Sequence, residues 1–199
     1  MALLNKIPAT LIDYAVYLGG NRLIGVGEVT LPSITAQTAD VQGAGISGKV
    51  EMPVIGHFDA MTLKINFRTI ETDAARLMAP GAHDLTLRAA QQVYEGALGS
   101  MKVEPLTIQA RCVTKANELG KLMGGESPDG SVELEVLRLR VVKGGIELLE
   151  IDKLNNIFRV MGVDYSATVR AALGIDGGFG AAGAIGLASD AASVIDLVV

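Results

Sequence analysis

Eight residues near the middle of the chain, Met61-Thr62-Leu63-Lys64-Ile65-Asn66-Phe67-Arg68, alternate without exception between apolar and polar side chains. A period of two puts Met61, Leu63, Ile65 and Phe67 on one side of an extended backbone and Thr62, Lys64, Asn66 and Arg68 on the other. A helix would spread both classes around its axis. The segment, expected to run from Met61 to Ile70, is therefore a strand with one buried and one wet face, the mark of an antiparallel sheet.

The rest of the chain continues in that style. Tyr14 to Leu18 and Leu23 to Leu31 flank Gly19-Gly20-Asn21-Arg22, which reads as a hairpin turn. Pro32 opens a polar stretch to Gly48 with no apolar period, expected as a protruding loop or extended arm, and Lys49 to Ile55 reads as a strand. Glu71 to Ala79 is expected as a short helix, capped by Thr72 and stopped by Pro80-Gly81. Leu85, Leu87 and Ala89 begin one strand and Val103 to Thr114 form another, whose Pro105 suggests a start at a sheet edge. Gly120 to Gly130 is expected as a mobile loop. In Ser131 to Val142 the acids Glu133 and Glu135 fall on odd positions but Arg138 and Arg140 on even ones. That slip near Val136-Leu137 marks a β-bulge or a strand whose exposed face changes midway.

Lys143-Gly144-Gly145 then turns the chain into Ile146, Leu148, Leu149 and Ile151, with Glu147, Glu150 and Asp152 set among them. An Asn-Asn break follows. Asp164 is expected to cap a short helix through Ala167, Val169, Ala171 and Ala172, which Gly174 ends. The sum is about eight strands and two short helices without a βαβ rhythm, so a mainly β antiparallel sandwich or barrel of two packed sheets is expected. One β-domain would span residues 1–175. The Gly/Ala-rich extension 176–199 has five glycines and no Lys or Arg, and its end, Ala191 to Val199, reads as a short apolar strand or helix.

Composition narrows function mainly by exclusion. The net charge is −5 and the basic residues are dispersed, so phosphate-driven nucleic-acid binding is not expected. Aromatics are only 4%, too few for stacking on bases or sugars. Cys112, the single cysteine, lies in phase with Leu106, Ile108 and Ala110 and reads as a buried, inert thiol. The N-terminus, interrupted by Pro8 and Asp13, is a poor signal peptide, and no apolar run reaches the about twenty residues of a membrane span, so a soluble chain made without export is expected. Two G-x-G-x-x-G strings, at Gly43 and Gly178, lack the strand-glycine-helix setting of a dinucleotide site. His57 near Asp59 and His83 beside Asp84 have no third ligand, and no nucleophile, base and orienting group converge. The seven methionines share no helical spacing and read as gap-fillers in the core. No catalysis, cofactor, metal or small-molecule ligand is expected, and a ligand-binding barrel is disfavoured by the wet strand faces.

The phrase E-x-x-E-I-D-x-x-N…V-x-G-V-D…L-G-I, carried by Glu150, Asp152, Asn155, Gly162 and Asp164, resembles the C-terminal region of the major tail tube proteins of contractile-tailed phages and R-type bacteriocins. A weaker likeness lies in G-x-V-x-x-x-x-L-P at Gly25 to Pro32, and together they cover Tyr14 to Ile175. The resemblance implies two packed sheets with a flanking helix, six subunits joined edge to edge in a ring, and rings stacked into a hollow tube. It implies that Pro32 to Gly48, with Pro32, Gln42, Gly43 and Gly45, reaches the neighbouring ring. Its partners would be other copies of itself, the sheath, and tape measure, baseplate and terminator proteins. DNA would pass through the lumen without specific binding, in a virion tail assembled in the host cytoplasm. The tube of a bacteriocin or type VI-like injection system is the alternative. Lys64, Arg68, Glu133 and Glu135 are candidates for subunit contacts or the lumen wall, with the Lys64/Arg68 face and the Glu133/Glu135 face as rival linings.

Overall fold

The computed structural model describes residues 6–25, 27–43, 45–96 and 99–175. Along the chain these form β1 (Lys6–Leu18), β2 (Arg22–Ile24), β3 (Glu28–Thr30), β4 (Ala36–Val41), β5 (Val50–Phe58), β6 (Thr62–Phe67), α1 (Thr72–Leu77), β7 (Ala82–Glu95), β8 (Ser100–Glu118), β9 (Gly130–Lys143), β10 (Ile146–Asp152), β11 (Ile157–Val160), β12 (Val163–Asp164) and α2 (Ala167–Ala172). The extension 176–199, with its Gly178 string and apolar end, lies outside the described residues.

The strand pairings are antiparallel. Ten strands make one sheet in the order β12-β11-β10-β9-β8-β7-β1-β2, with β6 attached to β9 and β3 to β6; β4 and β5 pair with each other as a second sheet. Among the described residues the mainly β fold with two sheets and two short helices matches the expectation, but the sheets are very unequal and no barrel closes. The large sheet curls instead. β2, at one end of the sheet order, and β3, on the β6 branch, follow one another in the chain; next to β3 the Gly27 N–H donates to Asn66 O at 2.8 Å and the Tyr14 hydroxyl to Gly27 O at 3.3 Å. The expected single strand Leu23 to Leu31 is thus broken in two, because its halves serve different parts of the sheet.

The phase slip in β9 is a bulge, and it forks the sheet. Gly130–Glu135 of β9 pairs with β6, whereas Arg138–Lys143 pairs with β10. On the other flank, Arg111 of β8 faces Arg138 while the next residue, Cys112, faces Val136, which leaves Leu137 as the extra residue. Both branches bond at this point: the Val136 N–H donates to Met61 O at 2.8 Å, and Leu137 O accepts from the Lys153 N–H at 3.0 Å. The inward register moves by one, from Val132, Leu134 and Val136 to Leu139.

Among the described residues a single core fills the curl. Leu63, Ile65 and Phe67 of β6, with Met61 just before it, meet Val16, Ile24, Leu85, Leu87, Ile108, Ala110, Leu134 and Ile151, and α1 lays Leu77 on them. Full burial of one such side chain stabilises by about 1.5–3 kcal/mol. Cys112 is in this core as expected; burial, with the Asp84 charge, pushes its thiol up to about 12, so it is protonated at neutral pH.

Three local expectations are corrected. Helix α1 is shorter than Glu71 to Ala79; Glu71 holds the cap position without a side-chain bond and Thr72 is the first helical residue. Pro105 lies within β8, an interior strand. Its carbonyl accepts the Gly144 N–H at 2.9 Å, so the side with the missing N–H faces the turn beyond the last pair with β9, where no ladder bond is lost. Segment 32–48 is not without structure, because it contains β4.

Candidate functional site

The second sheet is an arm. β4 pairs with β5 from Val41↔Val50 back to Thr38↔Pro53; after a break in register, Ala36 meets Phe58 at its base. Two strands alone bury neither face; β4 shows no apolar period, and in β5 Val50, Met52 and Val54 alternate with Glu51 and Pro53 yet all of them stay exposed. Ile46, Val50, Met52, Val54 and Ile55 are all exposed, and Ile55 keeps 60% of its surface. Gln42, Gly43 and Gly45 lie at the exposed tip, whereas Pro32 is half-buried at the root. The one ion pair described on the arm, Lys49 Nζ to Asp40 Oδ2 at 2.9 Å, has both side chains about half exposed and contributes little.

A second exposed feature is the edge of the large sheet. Among the described residues, Lys6 to Ala15 of β1 has β7 on one side and no strand on the other. Pro8 and irregularities at Ala9 and Ile12 break its bonding pattern, which limits indiscriminate pairing. Ile7, Leu11 and Ile12 are exposed along it.

The signature residues are held together by charge. Glu150 is 2% exposed and holds two arginines: Arg138 reaches its Oε1 through Nη2 at 2.5 Å and Nε at 3.0 Å, and Arg159 Nη1 reaches its Oε2 at 2.8 Å. That hydrogen bonding raises the Arg138 pKa despite partial burial. Asp152 caps the following turn, accepting the Leu154 and Asn155 N–H groups at 3.0 Å on Oδ1 and the Asn155 amide at 2.7 Å on Oδ2. Met161 (φ +51) and Gly162 (φ +84) form the two-residue turn between β11 and β12, and a turn with two positive φ values favours glycine.

Asp164 is not the helix cap that the sequence suggested. It lies on β12, accepts the Ser166 N–H at 3.0 Å, and binds Arg170 Nη2 at 2.7 Å; Ser166 holds the cap position of α2. Burial pushes the Asp164 carboxyl up, but Arg170, the Ser166 N–H and Arg159 together outweigh it and hold the pKa below the usual carboxylate range. Arg170 also donates to Asn156 O at 2.7 Å. The helix ends as expected at Gly174, whose N–H goes to Ala171 O while that of Ile175 goes to Arg170 O.

The rival channel faces prove to be one face. Lys64 lies directly opposite Glu133 and Thr62 opposite Glu135 across β6 and β9. Lys64 Nζ sits 3.4 Å from Glu133, and Glu135 accepts from Lys153 Nζ at 2.9 Å and from the Met61 N–H at 3.3 Å. Arg68 lies past the end of β6 and is exposed; its carbonyl accepts the Ser127 hydroxyl. His83 Nε2 lies 3.0 Å from Ala79 O, His57 is exposed on the arm, and among the described residues no group of three His, Cys, Asp or Glu is placed to hold a metal.

Sequence reasoning missed Arg159 and Arg170 as partners of the acids. Counting outward from the Gly144-Gly145 turn, with one bulge at Leu148, places Glu150 opposite Arg140 and beside Arg138, so half of the network was accessible from hairpin arithmetic.

Residues 8–174 match the family described as phage tail tube protein FII. The chain belongs to that family. Its similarity to the tail tube protein of Escherichia phage P2 is 26% identity over 152 residues, covering 75% of this chain and 87% of that protein. Among solved structures, the tail tube chain resembles the sheath/tube terminator of the PVC extracellular contractile injection system (TM-score 0.48, 12% identity, 68% of this chain and 96% of that one). It also resembles the tube-terminating cap of the anti-feeding prophage (TM-score 0.47, 14% identity, 71% and 94%). As a tail tube protein, it has its place in the tail of a phage or phage-like particle.

Proposed function

We propose that this tail tube protein is the repeating, non-catalytic subunit of the inner tube of a contractile tail. Six copies close into a ring through their sheet edges, and the rings stack through the arm. The observation that carries the reading is the exposed apolar arm, because five large aliphatic residues on a two-stranded ribbon need cover from another copy. The open β1 edge supports ring closure in the same way: identical subunits meeting head to tail use such edges around the axis and stack along it.

The polar face of the large sheet then lines the lumen. Lys64 meets Glu133, Lys153 meets Glu135, Arg140 Nε meets Glu147 at 2.7 Å, and Arg138 and Arg159 share Glu150. Around β6, β9 and β10 the bases of this wall are matched by acids, which leaves passing DNA few free cations to grip there. The sheath contacts the outside of the tube; baseplate, tape measure and terminator proteins act at its ends. No cofactor or small-molecule ligand enters this function.

Negative-stain imaging of the purified protein tests the reading. Stacked hollow rings are expected. A compact monomer that persists at high concentration contradicts it.

A further inference from the structure

Where the arm leaves the body, β5 crosses the segment that carries the family signature. The register between β4 and β5 is broken over residues 54–57, and Gly56 in that break has φ +77. Gly56 sits directly against Ser166 and Asn156: a Cβ there would lie 2.6 Å from Ser166 Oγ and 3.3 Å from Asn156 Oδ1, but 3.8 Å from Ser166 Cβ. Ser166 is fully buried at the start of α2, and its hydroxyl has no hydrogen-bond partner. Two residues on, Phe58 meets the edge of Phe158 with ring centres 5.0 Å apart, and Phe158 lies 5.7 Å from Tyr165.

We propose that Gly56, seated against Ser166 and Asn156, is the elbow of the arm, and that α2 with β11 fixes the direction in which the arm leaves the body. The elements behind the elbow are tied to the sheet in sequence. Arg170 holds the Asn156 carbonyl and Asp164, Asp164 lies 3.6 Å from Arg159, and Arg159 shares Glu150 with Arg138. A packed seat with a single open position, filled by backbone, has one arrangement rather than a range. Glu150 and Asp164 of the signature thereby become positioning residues for the arm, although neither lies on it. The buried, unbonded Ser166 hydroxyl fits this role, since it is held against the backbone of β5 and faces no acceptor. The consequence for ring stacking rests on the reading of the arm given above; the elbow itself does not.

The test is a distance measurement on the full chain in dilute solution, by pulsed electron resonance between spin labels at S47C on the arm tip and Q109C on β8. Native Cys112 is buried and will not label. The wild type is expected to give one narrow distribution, and Ser166→Ala, which opens space against Gly56, one no narrower. Gly56→Ala is expected to displace it or roughly double its width, since a hinge deprived of its seat samples several directions. Gly56→Ala with Ser166→Ala removes the close oxygen and should narrow it in part, the strain of an alanine at φ +77 remaining. Phe58→Leu adds no bulk and should broaden it too, which keeps the test open if Gly56→Ala does not fold. Unchanged distributions in Gly56→Ala and Phe58→Leu, with thermal melting like the wild type, overturn the proposal. If the distances move as expected but the wild type forms no tubes, the stacking reading falls and the elbow stands.

Discussion

β5 and β6 follow one another in the chain, are both rich in aliphatic residues, and have opposite fates. β6 alternates perfectly and buries Leu63, Ile65 and Phe67. β5 carries Val50, Met52, Val54 and Ile55, and leaves all of them exposed. The difference lies in who covers them. A strand that packs on its own subunit shows its period, because one face is wet and one dry. β5 also alternates, with Val50, Met52 and Val54 against Glu51 and Pro53, but nothing within its own subunit dries the apolar side.

The contrast can be broken by substitutions in the two strands. Ile65→Ala opens a hole in the closed core and should cost about 2–5 kcal/mol, seen as a large drop in melting temperature. Ile55→Ala on the arm should change the melting of the unassembled subunit by less than about 0.5 kcal/mol. If the two losses were equal, the arm would be covered within the subunit and the contrast would be wrong.

A smaller effect is expected where the charges sit. Glu150→Ala leaves Arg138 and Arg159 without their shared carboxylate. Both guanidiniums retain access to water, at 49% and 27% exposure, so the cost should be about 1–3 kcal/mol, short of that for a fully buried pair. Denaturant titration of the variant beside the wild type measures it.

Acidity offers a third probe. The Asp164 carboxyl is held below its ordinary value of 3.8, so its contribution to stability is present above that value and is lost as pH falls through the lower folded one. Stability measured from pH 5 downward should decline less steeply in Asp164→Asn than in the wild type. Identical slopes would show that the Arg170 contact does not couple to folding. Arg68→Glu should have the smallest effect, less than about 0.5 kcal/mol on the subunit, because Arg68 is exposed beyond the end of β6.

The same contrast explains what could be read from sequence. The strand face from Met61 to Phe67, the slip at Leu137, the buried Cys112 and the end of α2 at Gly174 were legible because each depends on neighbours close in sequence or on simple periodicity. The signature segment was legible as a pattern but not as a network. Arg159 and Arg170 join Glu150 and Asp164 through pairing between strands and through a helical turn, which no single spacing displays. β4 was missed because a strand with both faces wet resembles a polar loop. The elbow was out of reach, since nothing local links Gly56 to a serine 110 positions further on.

The central claim is that the exposed face of the arm is a contact between copies. Imaging of Val50→Asp/Met52→Asp, on the paired part of the arm, beside the wild type tests it most directly, with melting curves to show that both are folded. The account predicts hollow tubes from the wild type, and single rings or free subunits with unchanged melting from the variant. Variant tubes as long and as frequent as those of the wild type would contradict it.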